Sequence, residues 1–166
     1  MWGCGEVVTP GMEDMAETGR IDISLFDEVT PFLAAGSVDS LIEVREFTGP
    51  AVGDVPGELE FEIVVNQTHP LVSMVSMLGP SPDSFVGVDG QSLLVGDEVQ
   101  EWTESLTIPL PLYDGGSKSD VILVMGGPDI IPPNPVSLVA YDTATGTYLP
   151  STEEQIVGNL VFTRIE

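Results

Sequence analysis

This chain has little that is positively charged and almost no sulfhydryl. Of its 166 residues only four are Lys or Arg, against 27 Asp or Glu, a formal net charge of −23. Such a surface repels phosphate backbones and anionic headgroups, which excludes nucleic-acid binding and argues for cations, basic partners or a saline, halophilic setting where screening relieves self-repulsion. The single cysteine, Cys4, excludes an internal disulfide. "MWGCGE" contains a Gly3-Cys4 pair of the kind found at lipoprotein cleavage sites, so a lipid anchor through Cys4 is one expectation and a stray thiol the other. No apolar run approaches the roughly 20 residues of a membrane span, so membrane insertion is not expected. With one histidine, no GxSxG and no Gly-rich phosphate loop, the usual catalytic constellations are missing. His69 could pair only with Ser73 or Ser76 on one strand, a poor geometry for a triad. The expectation is a protein that is not an enzyme.

What is present points to a β-rich globule. An apolar share of 42% supports a core, while 18 Gly and 14 Pro favour short elements joined by turns. Two stretches are helix-like, 11–19 and 24–36. In the second, Leu25, Val29, Phe32 and Leu33 recur near helical spacing, Ser24 can cap, Gly36 can terminate, and Pro31 should kink or split the helix. Beyond residue 37 the pattern is of strands: 40–46, 58–66, 71–78, 84–88, 104–113, 120–125, 136–142 and 159–166. "ELEFEIVVN" alternates Glu with apolar residues, as a strand between core and water does, and "LVSMVSML" reads as mostly buried. "DTATG", closed by Tyr148, is a hairpin signal. About eight strands at this spacing predict a mainly all-β, antiparallel sandwich preceded by one or two short helices, occupying residues 11–166 after a disordered or linker segment 1–10.

Two acidic turns stand out. Asp83 lies in "GPSPDSF", where two prolines fix the backbone, and Asp89 follows at the end of the short strand after it. Asp114 follows a strand in "LYDGGSKSD". Rigid loops carrying carboxylates can hold a hard cation, yet aspartates are also ordinary Asx-turn residues, and the residues alone leave both readings open. Trp102, Tyr113, Tyr141 and Tyr148 could line a sugar-binding face, or pack as core and rim, and Met74 and Met77 suit core filling.

"THPLVSMVSMLGPSPDSFVGVDGQSL" resembles the signature of the spondin domain (F-spondin N-terminal-like), with its Ser–Met strand, Pro-Ser-Pro-Asp-Trp, Val-Gly and Asp. "EWTESLTIPLPLYDGGSKSD" is similar to that family's later Trp, leucine-rich strand and Asp-Ala-Gly-Thr-Asp element, and the order of short helices and strands over 11–166 agrees. The resemblance implies a C2-like sandwich binding one calcium ion at its loop end, in a prokaryotic exported member. By motif position Asp83 and Asp114 would be ligands, helped by Asp120 and Ser117, with Asp89 a weaker candidate. Lys118 stands where the family has a second Asp, and Ser84 where it has Trp. The function implied is adhesion or recognition, outside the cell or at its surface, toward a cell-surface or matrix protein or a glycan. The alternative is a metal-free structural domain of a surface layer, fibre or larger exported protein.

Overall fold

The computed structural model describes residues 2–21, 24–43, 57–96, 100–119, 122 and 124–165. Helix α1 (Pro10–Thr18) starts where its sequence says it should. Thr9 is the N-cap, its hydroxyl accepting from Met12 N, with Pro10 in the first turn. It stops at Gly19, whose left-handed φ of 71° lets its N–H reach the Met15 carbonyl. Helix α2 (Ser24–Ala34) runs without interruption through Pro31. The expected split does not occur: Pro31 removes one backbone donor near the end of the helix, and Ala35 N–H still bonds its carbonyl at 3.0 Å.

Among the described residues nine strands follow: β1 (Leu71–Met77), β2 (Ser84–Ser92), β3 (Leu94–Val95), β4 (Glu101–Trp102), β5 (Ser105–Pro111), β6 (Tyr113–Asp114), β7 (Ser137–Asp142), β8 (Thr147–Pro150) and β9 (Ile156–Thr163). They build an antiparallel, mainly β sandwich. The largest sheet has the order β1–β2–β6–β7–β8, with β3–β4 and β5–β9 as two-stranded partners. The hairpin at 142–146 forms as its residues predict. Asp142 Oδ1 accepts from Ala144 N at 2.9 Å, Gly146 takes a φ of 69°, and Tyr141 faces Tyr148 across the turn.

Four expectations are corrected. Residues 58–66 form no ladder strand. Apart from an isolated bridge between Asn66 and His69 they pair with no strand among the described residues, and Leu59, Phe61 and Val64 are exposed. Alternation marks a potential strand, but a strand exists only where a neighbour pairs with it. Residues 41–43 are likewise without strand structure, and 44–46 and 120–121 fall outside the described residues. The run 71–78 is half-exposed, because β1 is an edge strand with only β2 beside it. Finally, residues 2–10 are packed and not a loose linker. Trp2 and Val8 are buried, and the backbones of Gly5 and Glu6 exchange hydrogen bonds with Val136 at 2.8 Å.

The reason for this last correction is apolar area. Trp2 closes an aromatic trio with Phe85 and Tyr113, at ring-centroid distances of 5.1 and 4.9 Å, and Phe85 stacks on Tyr113 at 5.5 Å. Met12, Met15 and Ala16 of α1, Leu25 and Val29 of α2, and Val136 complete that core. A smaller cluster of Leu112, Val139 and Tyr148 includes Leu78 and Tyr141 at its margin. Met77 packs against the larger core, and Tyr113, Tyr141 and Tyr148 take core or rim positions.

Candidate metal centre

The loop between β1 and β2 is buried. Ser81, Pro82 and Asp83 are almost wholly enclosed, and Ser81 Oγ accepts from Ser84 N at 3.0 Å, closing a tight turn. Asp83 is fixed by the second loop. Its Oδ2 accepts three hydrogen bonds, from Ser117 N (2.8 Å), Lys118 N (2.9 Å) and Ser117 Oγ (3.1 Å). Strand register does the rest: Ser84 pairs with Asp114, which sets the two aspartates side by side at one end of the sheet.

Glycine makes that approach possible. Gly115 N–H bonds the Asp83 carbonyl at 3.1 Å, and a Cβ at Gly115 would lie 2.9 Å from that oxygen. Gly116 has a φ of 76°, and a Cβ there would meet the Asn134 carbonyl oxygen at 2.2 Å. Asp114 Oδ1 accepts from Gly116 N at 2.6 Å, an Asx turn. The Asx reading and the convergence of the two loops therefore hold together.

Burial, and secondarily the neighbouring Asp83 charge, pushes Asp114 up to about 6. Burial also raises Asp83, despite the three donors that oppose the shift. Both carboxyls are therefore harder to ionise than free ones, because burial penalises the charged form. Asp83 Oδ1 and Asp114 Oδ2 take no hydrogen bond from the described residues, so each retains an oxygen for a ligand.

Lys118 touches the pair through its backbone N–H, while its side chain has other partners. Its ammonium bonds Glu17 Oε2 at 2.9 Å and the Asp129 carboxylate, and these two partners hold its charge firmly in place. Ser117 Oγ also reaches Glu17 Oε1 at 2.7 Å, so a single hydroxyl proton lies between Glu17 and Asp83. Glu17 and Asp129 carry no loop signal in the sequence. Glu17 shows only as the fourth residue after Glu13 on α1, and Asp129 only as part of a turn.

Asp89 does not join the site. It sits within β2, roughly 20 Å along the strand from Asp83, where Ser73 Oγ donates to it at 2.7 Å. Asp120 lies outside the described residues. His69 donates through Nε2 to the Gly36 carbonyl at 2.9 Å, while Ser73 Oγ is bound to Asp89 and Gly90.

Among the described residues no group of three or more His, Cys, Asp or Glu side chains is arranged to hold a metal. Asp83 and Asp114 form a pair, so any hard cation placed here would have to take most of its six to eight oxygens from carbonyls, hydroxyls and water.

The Spondin_N family model matches residues 1–144, which include both acidic loops and the packed N-terminal segment. The chain belongs to the Spondin_N family. It is similar to Spondin-2 of Homo sapiens, 37% identical over 119 residues, covering 72% of this chain and 34% of that protein. Spondin-2 of Rattus norvegicus is 37% identical over 120 residues with the same coverage. This Spondin_N chain thus spans about a third of the length of the curated relatives it matches. Strands β8 and β9 lie beyond the family match.

Proposed function

We propose that this Spondin_N chain is a non-catalytic extracellular adhesion or recognition module that holds one calcium ion at the loop end of its sandwich. Family membership supports the non-catalytic, extracellular part, and no helix among the described residues is long and apolar enough to cross a membrane. The observation that carries the metal site is the convergence of Asp83 and Asp114 from separate loops, each raised by burial and each with an oxygen to spare. Asp120, Ser117 and backbone carbonyls would complete the shell. Calcium would supply the charge that the paired carboxylates lack, and would stiffen the loops presented to a cell-surface or matrix protein or a glycan.

Calorimetric titration and thermal melting test this reading. Calcium should release or absorb heat and raise the melting temperature, a chelator should reverse the rise, and Asp114→Asn should abolish both while the chain still folds. No heat and no thermal shift in the native chain would remove calcium from the account.

A second reading has its own support. Asp83 Oδ2 is already filled by three donors, and Lys118 is neutralised by Glu17 and Asp129, so the loops hold together without an ion. A metal-free structural domain of a surface layer, fibre or larger exported protein would show self-assembly indifferent to chelator.

A further inference from the structure

The β5–β9 pair has two outer edges, and they differ. Arg164 N–H donates to the Glu104 carbonyl at 3.0 Å, and the register continues one for one from Ser105 opposite Thr163 to Leu110 opposite Gly158. Hydrogen-bonded and non-bonded positions alternate along an antiparallel pair. Leu106, Ile108 and Leu110 therefore point their backbone groups at β9, while Ser105, Thr107 and Pro109 turn theirs outward. Past the register shift, Leu112 N–H donates to the Gln155 carbonyl at 3.1 Å, so Pro111 also faces away. Two prolines thus blunt the outer edge of β5, since neither has an N–H to offer.

The outer edge of β9 has no such protection. Asn159, Val161 and Thr163 turn their N–H and C=O groups outward, and no backbone group of the described residues pairs with them. No charged side chain lies between Glu154 and Arg164, and Val161 is 57% exposed. Beside the strand's C-terminal end is a groove of about 380 Å³ lined by Ile63, Val64, Trp102 and Phe162, with Glu62 and Arg164 on its wall.

We infer that the outer edge of β9 is a docking strand for an extended partner segment in which apolar side chains alternate with Lys or Arg. Backbone pairing with Asn159, Val161 and Thr163 supplies the main-chain bonds, and the groove takes the apolar side chains. Charge decides the class of partner. A chain of net charge −23 attracts a basic segment and repels a second copy of itself; Glu62 on the groove wall and Glu101 beside Trp102 give that attraction a local form, while Glu104 is paired with Arg164 at 3.0 Å. The site is separate from the calcium loops and does not depend on them.

The test uses the whole chain and synthetic peptides of about eight residues, one alternating valine with lysine and one alternating valine with glutamate. Amide exchange should be fast at Asn159, Val161 and Thr163 in the free chain and slower with the valine–lysine peptide, in calcium or in chelator alike. Val161→Pro removes an outward N–H without touching the β5 ladder, so it should keep the native melting temperature and weaken binding about tenfold. An N-methylated valine–lysine peptide should bind equally weakly, and it reports on the edge even where the proline variant fails to fold. The inference is overturned by slow exchange at all three amides in the free chain, because the edge is then already covered by this chain's own residues 58–65 or by a second copy. Equal binding of the valine–glutamate peptide, or undiminished binding of the N-methylated one, would also overturn it.

Discussion

Around Phe85 the chain is covered on every side, whereas along β9 its apolar residues meet water. Phe85 and Met12 are fully buried beneath α1, α2 and the N-terminal segment, while Ile156, Val157 and Val161 stay 42–57% exposed. Both regions use the same kinds of side chain on strands of similar length. The difference is the layer above: two helices and Trp2 close over β2, but no helix among the described residues packs on β9. A hydrophobic residue contributes by the area it loses to a neighbour, not by its identity. Asp83 and Asp114 lie next along the chain to Ser84–Phe85 and Tyr113 of that covered region, and burial is what raises both. The β9 edge is left to pair with something else.

The sharpest way to break this contrast is at Phe85. Phe85→Ala should cost about 3–5 kcal/mol, since it empties the centre of an aromatic cluster that cannot collapse around the gap. Chemical denaturation measures it, and a loss below about 1 kcal/mol would mean that the helix-side layer is not packed as described.

The second prediction concerns pH. The folded value of Asp114, about 6, lies above its ordinary 3.8, so the folded state holds this proton more tightly than the unfolded chain does. Without calcium, the stability this group contributes is complete below the ordinary value and is lost as pH rises through about 6. Over that window the loss is on the order of 2–3 kcal/mol. Melting temperatures should therefore fall between pH 4 and pH 7 in chelator, and Asp114→Asn should flatten the slope. A melting temperature that rises over the same window would contradict the burial of this carboxylate.

The smallest effect belongs to the open region. Val161→Thr exchanges one exposed β-branched side chain for another and should change stability by less than about 0.5 kcal/mol. A larger loss in the same denaturation experiment would show that a layer does cover β9.

Much of this architecture is readable one segment at a time. Thr9, Pro10 and Gly19 mark the ends of α1, and the Asp142–Gly146 turn marks its hairpin, because each relies on hydrogen bonds and backbone angles within a few residues. The two acidic loops are legible as loops, and the resemblance to spondin domains names Asp83 and Asp114 within them. The alternation at 58–66 misleads, since the pattern describes a strand's faces and says nothing of whether a partner lies alongside. Trp2 is also missed: a terminus carries no local sign that the sheet leaves room for an indole. Glu17 escapes for the same reason, as its salt bridge to Lys118 joins α1 to a loop about a hundred residues away, and Asp129, 11 residues beyond Lys118, carries no local sign of that pairing.

By itself, then, the sequence determined the acidic charge, the short elements with their caps and turns, and the identity of two loop carboxylates. Those follow from side-chain chemistry and from backbone preferences that act over neighbouring residues. Only the tertiary structure decided that Asp83 and Asp114 stand together, that Lys118 is drawn toward Glu17 and Asp129, and that β9 keeps an open edge while prolines close that of β5. Each of these depends on register and packing between distant segments, where the free energy resides in surfaces meeting and not in any one stretch of chain.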